Sequence, residues 1–531
     1  MEYSAQGTTA AGRYEALVSS RSVYDREAKE SSKLTIPSLI PEQTTGTRAK
    51  IKTPFQATGS RGVNSLSNKI LMTLLPPSTA FFKLEIDALE IKKQGQDQLQ
   101  SEIDKGLRTI ENALQNQIEI SNDRVSMFEA IKHLIVSGNV LLYLTDDGLK
   151  IYPLSKFVCK RDAMGNVLET LVKETVHPQA LPPDFLEQIK KKENYDDKTM
   201  ESDLDIYTYI KRMNDDVIWY QECKGERIPN TDGRSKLDVS PWIGPLRLIK
   251  QDGEDYGRGY VEEYRGDLIS LEALMQSIIE GAAASAKTIF LVSPNGQTRA
   301  STLAKAPNGA VREGLATDIS VMQVGKSADF SVAFSAVQRI EQRLELAFLM
   351  ARSVQRDAER VTAAEINLMA QELENSLGGV YSTLTQSFQL PYLKRRMHML
   401  VRAGKVPKLP KDLVTPKIVT GLQGLGRGND RNKLVEFIGT IAQALGPDVM
   451  RQYVNVDEAV KRLATSIGID TANLVKTPEQ IQEEQQAAQQ QQLIQSLGPA
   501  ALGSPLVDPK KLADAQQQLP MEETQDAQQE A

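Results

Sequence analysis

The glycine-rich stretch GLQGLGRGND (421–430) is the first candidate for chemistry, because closely spaced glycines can wrap a phosphate group. A Walker loop ends in Gly-Lys and a hydroxyl residue, since the lysine meets the phosphates and the hydroxyl holds magnesium. Here Gly428 is followed by Asn429 and Asp430. A dinucleotide loop needs GxGxxG after a strand, whereas this spacing is GxxGxGxG. The pattern therefore favours a structural turn over a nucleotide site.

The acidic stretch DYGRGYVEEYRGD (255–267) is a second candidate, because Glu262, Glu263 and Asp267 lie close together among glycines. Clustered carboxylates can hold a metal ion. Acidic residues at the start of a helix more often complement the positive end of the helix dipole. We therefore prefer the helix-start interpretation.

Three arginines, Arg352, Arg356 and Arg360, follow one another at i, i+4 and i+8. On a helix they would form one basic stripe, and in a loop they would form a basic cluster. They are either a solvated face paired with Asp357 and Glu359 or a contact for phosphate groups. A ring of such chains would multiply the cluster and give electrostatic contact with nucleic acid that ignores base sequence.

Residues for conventional catalysis are not arranged in any familiar pattern. The cysteines Cys159 and Cys223 and the histidines His133, His177 and His398 are all far apart, which disfavours a zinc or di-iron site. GxSxG, HExxH and a credible Ser/His/Asp arrangement are missing. We therefore predict a protein that is not an enzyme and has no cofactor.

Length and charge limit the remaining classes. A chain of 531 residues is long enough for two to four packed regions. From residue 477 onward the sequence has nine Asp or Glu and two Lys, whereas the rest has 61 basic and 60 acidic residues. A balanced body argues against tight, static binding to nucleic acid, which requires a basic face. The N-terminus does not resemble a signal peptide, and the most apolar run, 133–144, is too short to cross a membrane.

Hydrophobic periodicity predicts a mixed fold with more helix than strand. Residues 10–75 contain helices with a break at TIPSLIPEQTTG, and residues 101–137 are helical. Alternating and buried runs predict strands and hairpins over 140–255, with a polar insertion at 184–202. The fold class predicted from these patterns is α+β, mainly α.

Two long helices that bracket a small β insertion follow this region. The first has Val261, Leu268 and Met275 on one face, and the second has Val337 and Leu344. Short strands and two Pro-Asn-Gly turns lie between them, over 288–330. The pattern predicts a stalk with a tip.

The first of these helices ends in a run of small residues. Ala282, Ala283 and Ala286 belong to this run, and such side chains allow another backbone to approach closely. We expect subunit packing at these three positions.

A further long helix is predicted over 363–390. Thr362 is a good N-cap and Glu365 completes a capping box. Apolar residues continue at helical spacing to position 388, and Pro391 is expected to end or kink the helix. Gly378 and Gly379 lie in its middle, where a bend or a tight crossing is expected.

The end of the chain changes composition. Shorter helices are predicted within 429–476. Of the residues from 477 onward, 15 are Gln and none is aromatic, so this tail cannot bury a core and is expected to be partly disordered.

Several stretches together resemble a known family, and they occur in the family's order from about residue 20 to 475. The family is the head-to-tail connector, or portal protein, of T7-like short-tailed bacteriophages. The matching stretches are TIPSLIP, TPFQATGSRGVNSLSNKILMTLLPP, SGNVLLYL, RDAMGNVLE, DYGRGYVEEYRGDLISLE, ERVTAAEI with ELENSLGGVYS, TGLQGLGRGND and SIGIDT. The acidic tail and the 184–202 insertion are the least covered parts.

The resemblance implies a portal-type fold with a wing, a two-helix stem, a small β-containing clip and a C-terminal helical crown. The implied boundaries are 1–260 for the N-terminal wing region, 261–287 and 331–352 for the stem helices, 288–330 for the clip, 353–361 for a channel loop, 362–428 for the long wing helix with its loops, 429–476 for the crown and 477–531 for the tail. Arg356 and Arg360 would lie in the channel loop.

The resemblance also implies a function. Twelve subunits would form a ring at one capsid vertex, through which double-stranded DNA passes during packaging and ejection. Implied partners are the terminase large subunit, tail or adaptor proteins, internal core proteins, and the major capsid and scaffolding proteins, but no membrane. The protein would reside in the virion, and in the host cytoplasm before assembly. Two alternatives remain open at this point: a nucleotide-binding component of the packaging apparatus, and a scaffold or capsid protein that forms no ring.

Overall fold

The computed structural model describes residues 9–41, 51–77, 81–85, 100–193, 202–285, 289–307, 309–322, 327–350, 363–406, 417–419, 435–441 and 443–444. The chain divides into two units, 1–428 and 429–531. In the second unit residues 435–441 are helical. The first unit contains all of the architecture described below.

Helices make up most of the ordered structure. In chain order they are α1 (Ala10–Leu34), α2 (Thr58–Leu74), α3 (Gln100–Ile120), α4 (Asp123–Ser137), α5 (Pro183–Glu193), α6 (Tyr260–Glu263), α7 (Arg265–Ser285), α8 (Ala300–Ala304), α9 (Ser327–Ala347), α10 (Ala363–Ser376), α11 (Val380–Leu384) and α12 (Leu390–Arg402). A π-helical turn, Thr385–Gln389, joins the last two.

The strands form four antiparallel sheets. They are β1 (Lys83–Glu85), β2 (Asn139–Leu144), β3 (Leu149–Pro153), β4 (Phe157–Arg161), β5 (Val167–Val176), β6 (Leu204–Met213), β7 (Asp216–Cys223), β8 (Glu226–Arg227), β9 (Gly233–Lys236), β10 (Trp242–Arg247), β11 (Ile289–Val292), β12 (Ile319–Met322) and β13 (Lys417–Val419). The largest sheet has the order β4-β5-β6-β7, with β8 and β9 both paired to β7. A three-stranded sheet has the order β10-β2-β3, and β1 pairs β13 while β11 pairs β12.

These elements confirm the predicted mixed, mainly helical fold class for the described residues. The hairpins predicted over 140–255 are present as β4–β5 and β6–β7. The β6–β7 turn has two residues, and Asn214 adopts a left-handed conformation with φ of 55°. A two-residue hairpin turn requires such a conformation, which Asn tolerates better than most residues. In the polar insertion predicted at 184–202, the residues described up to Glu193 belong to α5.

The centre of the core is helix α2, which is buried over most of its length. Leu66 and Leu74 are fully buried, together with residues on the neighbouring helices α4 and α10. One face of the large sheet packs against this core. Tyr14 and Leu17 of α1 cover the opposite face of the sheet. Because α2 contacts helices from both halves of the first unit, it connects segments that are distant in sequence.

The helix predicted over 363–390 is interrupted, contrary to the single long helix expected from periodicity. Helix α10 ends at Ser376, and both Gly378 and Gly379 have positive φ, 56° and 87°. Such angles cannot continue a right-handed helix. Helix α11 then resumes at Val380, so the two glycines lie in a turn between helices.

Pro391 does not end the helix, which is one of the two effects predicted for it. The chain stays helical past this proline to Arg402. A π-helical turn directly precedes α12, and Pro391 lies in the first turn of α12, where its missing N–H matters little.

The second long helix also differs from its predicted bounds. Helix α9 extends from Ser327 to Ala347, so it begins within the predicted 288–330 insertion and ends before residue 352. Leu349 has φ of 53°, and the N–H of Met350 bonds to the carbonyl of Glu345 at 2.8 Å. A left-handed residue with a backward hydrogen bond is a common helix stop.

A buried ion pair connects the N-terminus of α4 to α12. Asp123 is fully buried and accepts hydrogen bonds from Arg396 and from the hydroxyl of Tyr392. Burial, and then the Asp123 carboxylate, raise the pKa of Tyr392, so the phenol stays protonated and continues to donate. Removing either charge would leave the other buried without a counter-ion, and that is costly.

We therefore expect Arg396→Leu to lower the free energy of unfolding by about 3–5 kcal/mol, because Asp123 would be left buried and unpaired. Urea titration of the full-length chain measures this. The matched control on the same helix is Lys394→Ala, which removes a 3.0 Å ion pair to the exposed Asp238 and should cost less than about 1 kcal/mol. Equal losses in the two variants would contradict a structural role for the buried pair.

Candidate functional site: a two-helix stalk

Helices α7 and α9, with the β11–β12 hairpin between them in sequence, form a two-helix stalk within the first unit. The two helices pack side by side. The hairpin pairs Ile289 with Met322 and Val292 with Ile319. We call residues 265–347 the stalk.

Apolar residues at helical spacing bring the two stalk helices together. On α7, Leu268 and Leu271 are fully buried, and Met275 packs against the same core. On α9, Val337 and Leu344 are buried. Spacings of three and four residues place these side chains on one face of each helix, as the sequence predicted.

The base of the stalk is held by an aromatic joint around Phe348. Its ring lies 5.6 Å from the ring of Tyr260 and 5.7 Å from that of Tyr264, measured between centroids. The Tyr260 hydroxyl donates to the carbonyl of Ala347 at 2.9 Å. Gly62 of α2 faces the Phe348 ring so closely that a Cβ atom there would lie 2.7 Å from Cγ of the ring. The joint therefore needs a glycine in α2.

Polar contacts add to this joint on the α2 side. The Glu272 carboxylate accepts the backbone N–H groups of Phe55 at 3.0 Å and Gln56 at 3.2 Å, just before α2 begins. The Thr58 hydroxyl, at the start of α2, donates to Glu341 of α9 at 3.1 Å. One carboxylate from each stalk helix thus positions the beginning of α2.

Two ion pairs complete the base. Arg343 of α9 bonds to Asp267 of α7 at 2.8 Å, linking the stalk helices to each other. Arg265 of α7 pairs with Glu27 of α1. The hydrogen bond from Arg265 lowers the pKa of Glu27, so this carboxylate remains charged well below neutral pH. The second pair fixes the stalk to the N-terminal helix.

Large apolar side chains project from the outer faces of the stalk. They are Ile269 and Ile279 on α7, and Val332, Phe334 and Leu346 on α9, with exposed fractions from 43% for Ile279 to 75% for Leu346. Exposed apolar residues gathered on one element are typical of a surface that another protein covers.

The outer face of α7 is otherwise made of small residues. Gly266, Ser270, Ala273 and Ser277 are exposed and lie at spacings of three and four, so they share one helix face. Ala282 and Ala283 are also exposed near the end of this helix. Their predicted part in subunit packing stays a prediction.

The tip of the stalk is organised by Asp318. Its carboxylate accepts both the backbone N–H and the hydroxyl of Thr298, each at 3.1 Å. The Thr298 hydroxyl in turn accepts the N–H of Leu315 at 3.0 Å. Asp318 therefore ties together the two ends of the loop inserted between β11 and β12, and Val311 on that loop is 97% exposed.

Several of the residues singled out from sequence lie outside the described residues. These are Arg352, Arg356, Arg360, Thr362 and Ala286, together with the glycine-rich stretch 421–430. Glu365 lies in the first turn of α10. The channel-loop and capping-box assignments therefore stay predictions.

Few sequence features indicate the aromatic joint or the role of Asp318. Gly59 and Gly62 are the one usable signal, because glycines inside an apolar helix suggest that another group approaches closely. The partner, Phe348, is nearly three hundred residues away and cannot be identified from spacing.

The described part of the chain contains neither a cluster of metal ligands nor a helix that could span a membrane. Across its ordered ranges, no group of three or more His, Cys, Asp or Glu side chains is placed to hold a metal ion. None of the helices described above has an apolar stretch long enough to cross a bilayer.

Uncovered apolar faces on the stalk and an exposed tip are typical of a protein that contacts other proteins. Comparison with known proteins makes this class specific. The profile of the bacteriophage head to tail connecting protein family matches residues 7–475. The chain belongs to this family.

Individual relatives agree over nearly the full length. The chain is 39% identical to the portal protein of Escherichia phage T7, covering 92% of both chains. It is 40% identical to the portal protein of Enterobacteria phage T3, covering 88% of both, and 29% identical to that of Enterobacteria phage SP6, covering 93% and 95%. A solved neck of a native GTA particle, computed with C12 symmetry, aligns with a TM-score of 0.33 and 11% identity, too weak a likeness to support an argument about fold.

The close approach at the aromatic joint predicts the effect of a single methyl group. Gly62→Ala should lower the free energy of unfolding by about 1–3 kcal/mol, because the added Cβ forces the Phe348 ring to move. The matched control is Gly106→Ala in α3, where a Cβ would meet nothing within 4 Å and should stabilise by about 0.5–1 kcal/mol. Denaturant unfolding of the two variants decides, and a neutral or stabilising Gly62→Ala would show that the joint does not depend on this contact.

Proposed function

We propose that this chain is the portal subunit of a short-tailed phage. Twelve copies would form a ring at one capsid vertex, and double-stranded DNA would pass through the ring inward during packaging and outward during ejection. The observation that carries the proposal is the family match over residues 7–475, together with 39% identity to a portal protein over 92% of the chain. This role is structural, and we infer that the protein is not an enzyme.

The stalk supports ring formation through the contrast between its two outer faces. Helix α9 presents Leu346 and the positive charge of Arg339, whereas α7 presents, besides Ile269 and Ile279, a row of small side chains and Glu280. Large side chains of one copy would pack over the small side chains of the next, with opposite charges adjacent. Such a head-to-tail contact closes into a ring when the rotation between copies is right.

We assign the parts of the proposed portal from the family resemblance. The stalk helices α7 and α9 would be the stem, the β11–β12 hairpin with its loop the clip, the region before residue 260 and helix α10 the wing, and residues 429–476 the crown.

The exposed tip suits docking of other proteins. Leu291, Val311 and Leu315 are exposed there on a hairpin that Asp318 keeps in shape. We propose that the terminase large subunit docks on the clip during packaging and that tail or adaptor proteins replace it. Internal core, major capsid and scaffolding proteins would contact other parts of the ring, in the host cytoplasm during assembly and afterwards in the virion.

Arg352, Arg356 and Arg360 would lie where the stem returns to the wing. Twelve copies would place a ring of guanidinium groups around the channel. Contact with phosphates through charge alone is independent of base sequence, so DNA of any sequence could pass. A nearly balanced body charge keeps the rest of the channel from holding DNA tightly.

Replacing Arg356 and Arg360 by Ala should leave ring assembly intact and reduce the amount of DNA packaged or retained, because the loop loses its charges. The measurement is the DNA content of particles assembled with the variant, after rings have been confirmed by electron microscopy. Arg356→Lys/Arg360→Lys is the matched control and should keep most of the DNA, since the positive charge remains. Variants that fail to form rings would assign these arginines to subunit packing instead, and an unchanged DNA content would remove them from the channel.

A further inference from the structure

A polar pocket of about 290 Å³ lies away from the stalk, between the β4–β5 turn and the loop that follows β10. Its cationic lining comes from both elements: Lys160 and Arg161 at the end of β4, and Arg247 and Lys250 at and after the end of β10. The four positive charges therefore converge on one small volume. Their partners decide whether this charge is already neutralised.

The two arginines are fixed by main-chain carbonyl groups rather than by carboxylates. Arg161 donates from its side chain to the carbonyls of Asp255 at 2.7 Å, Gly165 at 2.9 Å and Pro245 at 2.7 Å. Arg247 is only 8% exposed and donates to the carbonyl of Glu254 at 2.7 Å. Carbonyl groups satisfy the donors but leave a full positive charge on each guanidinium.

Most of the carboxylates that line the pocket are engaged with other groups. Asp255 bonds to Lys160 at 2.8 Å and also accepts the backbone N–H of Arg161 at 2.9 Å. Glu254 pairs with Arg258, which lies outside the lining.

The two remaining carboxylates, Asp162 and Asp252, form no ion pair with a cation of the lining. Asp162 accepts the N–H and side-chain amide of Asn166, which closes the β4–β5 turn. Asp252 is exposed to solvent. With Asp255 paired to Lys160 and Glu254 to Arg258, three cations (Arg161, Arg247 and Lys250) face two carboxylates (Asp162 and Asp252), so the pocket keeps an excess of one positive charge.

Lys250 reports this excess. It is exposed at the rim of the pocket, and no hydrogen bond or ion pair joins it to another residue in the described ranges. Burial lowers the pKa of Lys250, and the charges of Arg247 and Arg161 lower it further. Like charges held together in a partly buried space are stabilised when an anion enters.

A glycine gives Arg247 access to the same space. Gly165 has φ of 82°, and a Cβ built there would lie 2.9 Å from Nη2 of Arg247. The left-handed conformation favours glycine, and the lack of a side chain leaves the guanidinium edge uncovered on that side. Arg247 Nη2 and Lys250 Nζ are thus the two donors best placed to meet a ligand.

We propose that this pocket binds a phosphate group, held by Lys250 and Arg247 and by the field of Arg161. Phosphate matches the site because its oxygens accept several charged donors at once and arginine binds it in a forked geometry. The proposal rests on this pocket alone and does not depend on ring formation. The phosphate could come from free inorganic phosphate or from the backbone of DNA close to the ring, and the chemistry is the same in both cases.

The test is calorimetric titration of the full-length protein with inorganic phosphate, against sodium chloride at equal ionic strength. Lys250→Gln should weaken phosphate binding about tenfold, the effect of losing one charged hydrogen bond, and Lys250→Arg should restore most of it. Lys250 has no structural partner among the described residues, so both variants should fold. Lys305→Gln is the matched control, because it removes one exposed lysine charge on the stalk tip.

Equal affinity in the wild type, Lys250→Gln and Lys305→Gln would overturn the proposal, as would the same loss in both glutamine variants. Competition with a short double-stranded oligonucleotide identifies the source of the phosphate. Displacement of bound phosphate by the oligonucleotide assigns the pocket to the DNA backbone. Retention of phosphate in its presence assigns it to the free ion.

Discussion

The contact between the Phe348 ring and Gly62 is the constraint on which the rest of the structure depends. It places the return end of the stalk against α2, the most deeply buried helix, while Tyr260 and Tyr264 bring the outgoing end to the same ring. Glu272 and Glu341 accept hydrogen bonds at and just before the beginning of α2 and hold it in place. Any force on the stalk is thereby transmitted directly to the core. A subunit that has to keep its shape while DNA moves past it benefits from such a direct connection.

The base and the outer faces of the stalk serve different purposes. At the base Leu268, Leu344 and Phe348 are buried and two ion pairs join the helices, so the stalk is well anchored within one chain. On the outer faces Val332 and Leu346 are exposed to solvent. Their exposure does not stabilise the fold of a single chain. Burying apolar surface is the main favourable term in association, so in the proposed ring these side chains would stabilise contacts between copies rather than the fold of one. This division between the base and the outer faces agrees with membership of the head to tail connecting protein family.

Local patterns in the sequence predicted the parts of the fold that depend on neighbouring residues. The two hairpins of the large sheet and the two stalk helices follow from alternation, turn residues and helical spacing. The prediction of one helix over 363–390 was wrong. Hydrophobic periodicity continues across Gly378 and Gly379, but the backbone angles of these two residues are not helical. The buried pair of Asp123 and Arg396 could not be predicted either, since 273 residues separate the partners and only the folded chain joins them. The candidate site shows the same limit: its helices were predictable, but the joint that positions them was not.

The central claim is that copies of this chain assemble into a closed ring, and the mass of the purified full-length protein in solution tests it most directly. Mass photometry or native mass spectrometry at micromolar concentration resolves the number of copies in each particle. We expect a dominant species of twelve chains, with electron micrographs of the same sample showing a central opening. A sample that stays monomeric at high concentration, or that grows into open filaments or aggregates without a fixed number of copies, would contradict the account.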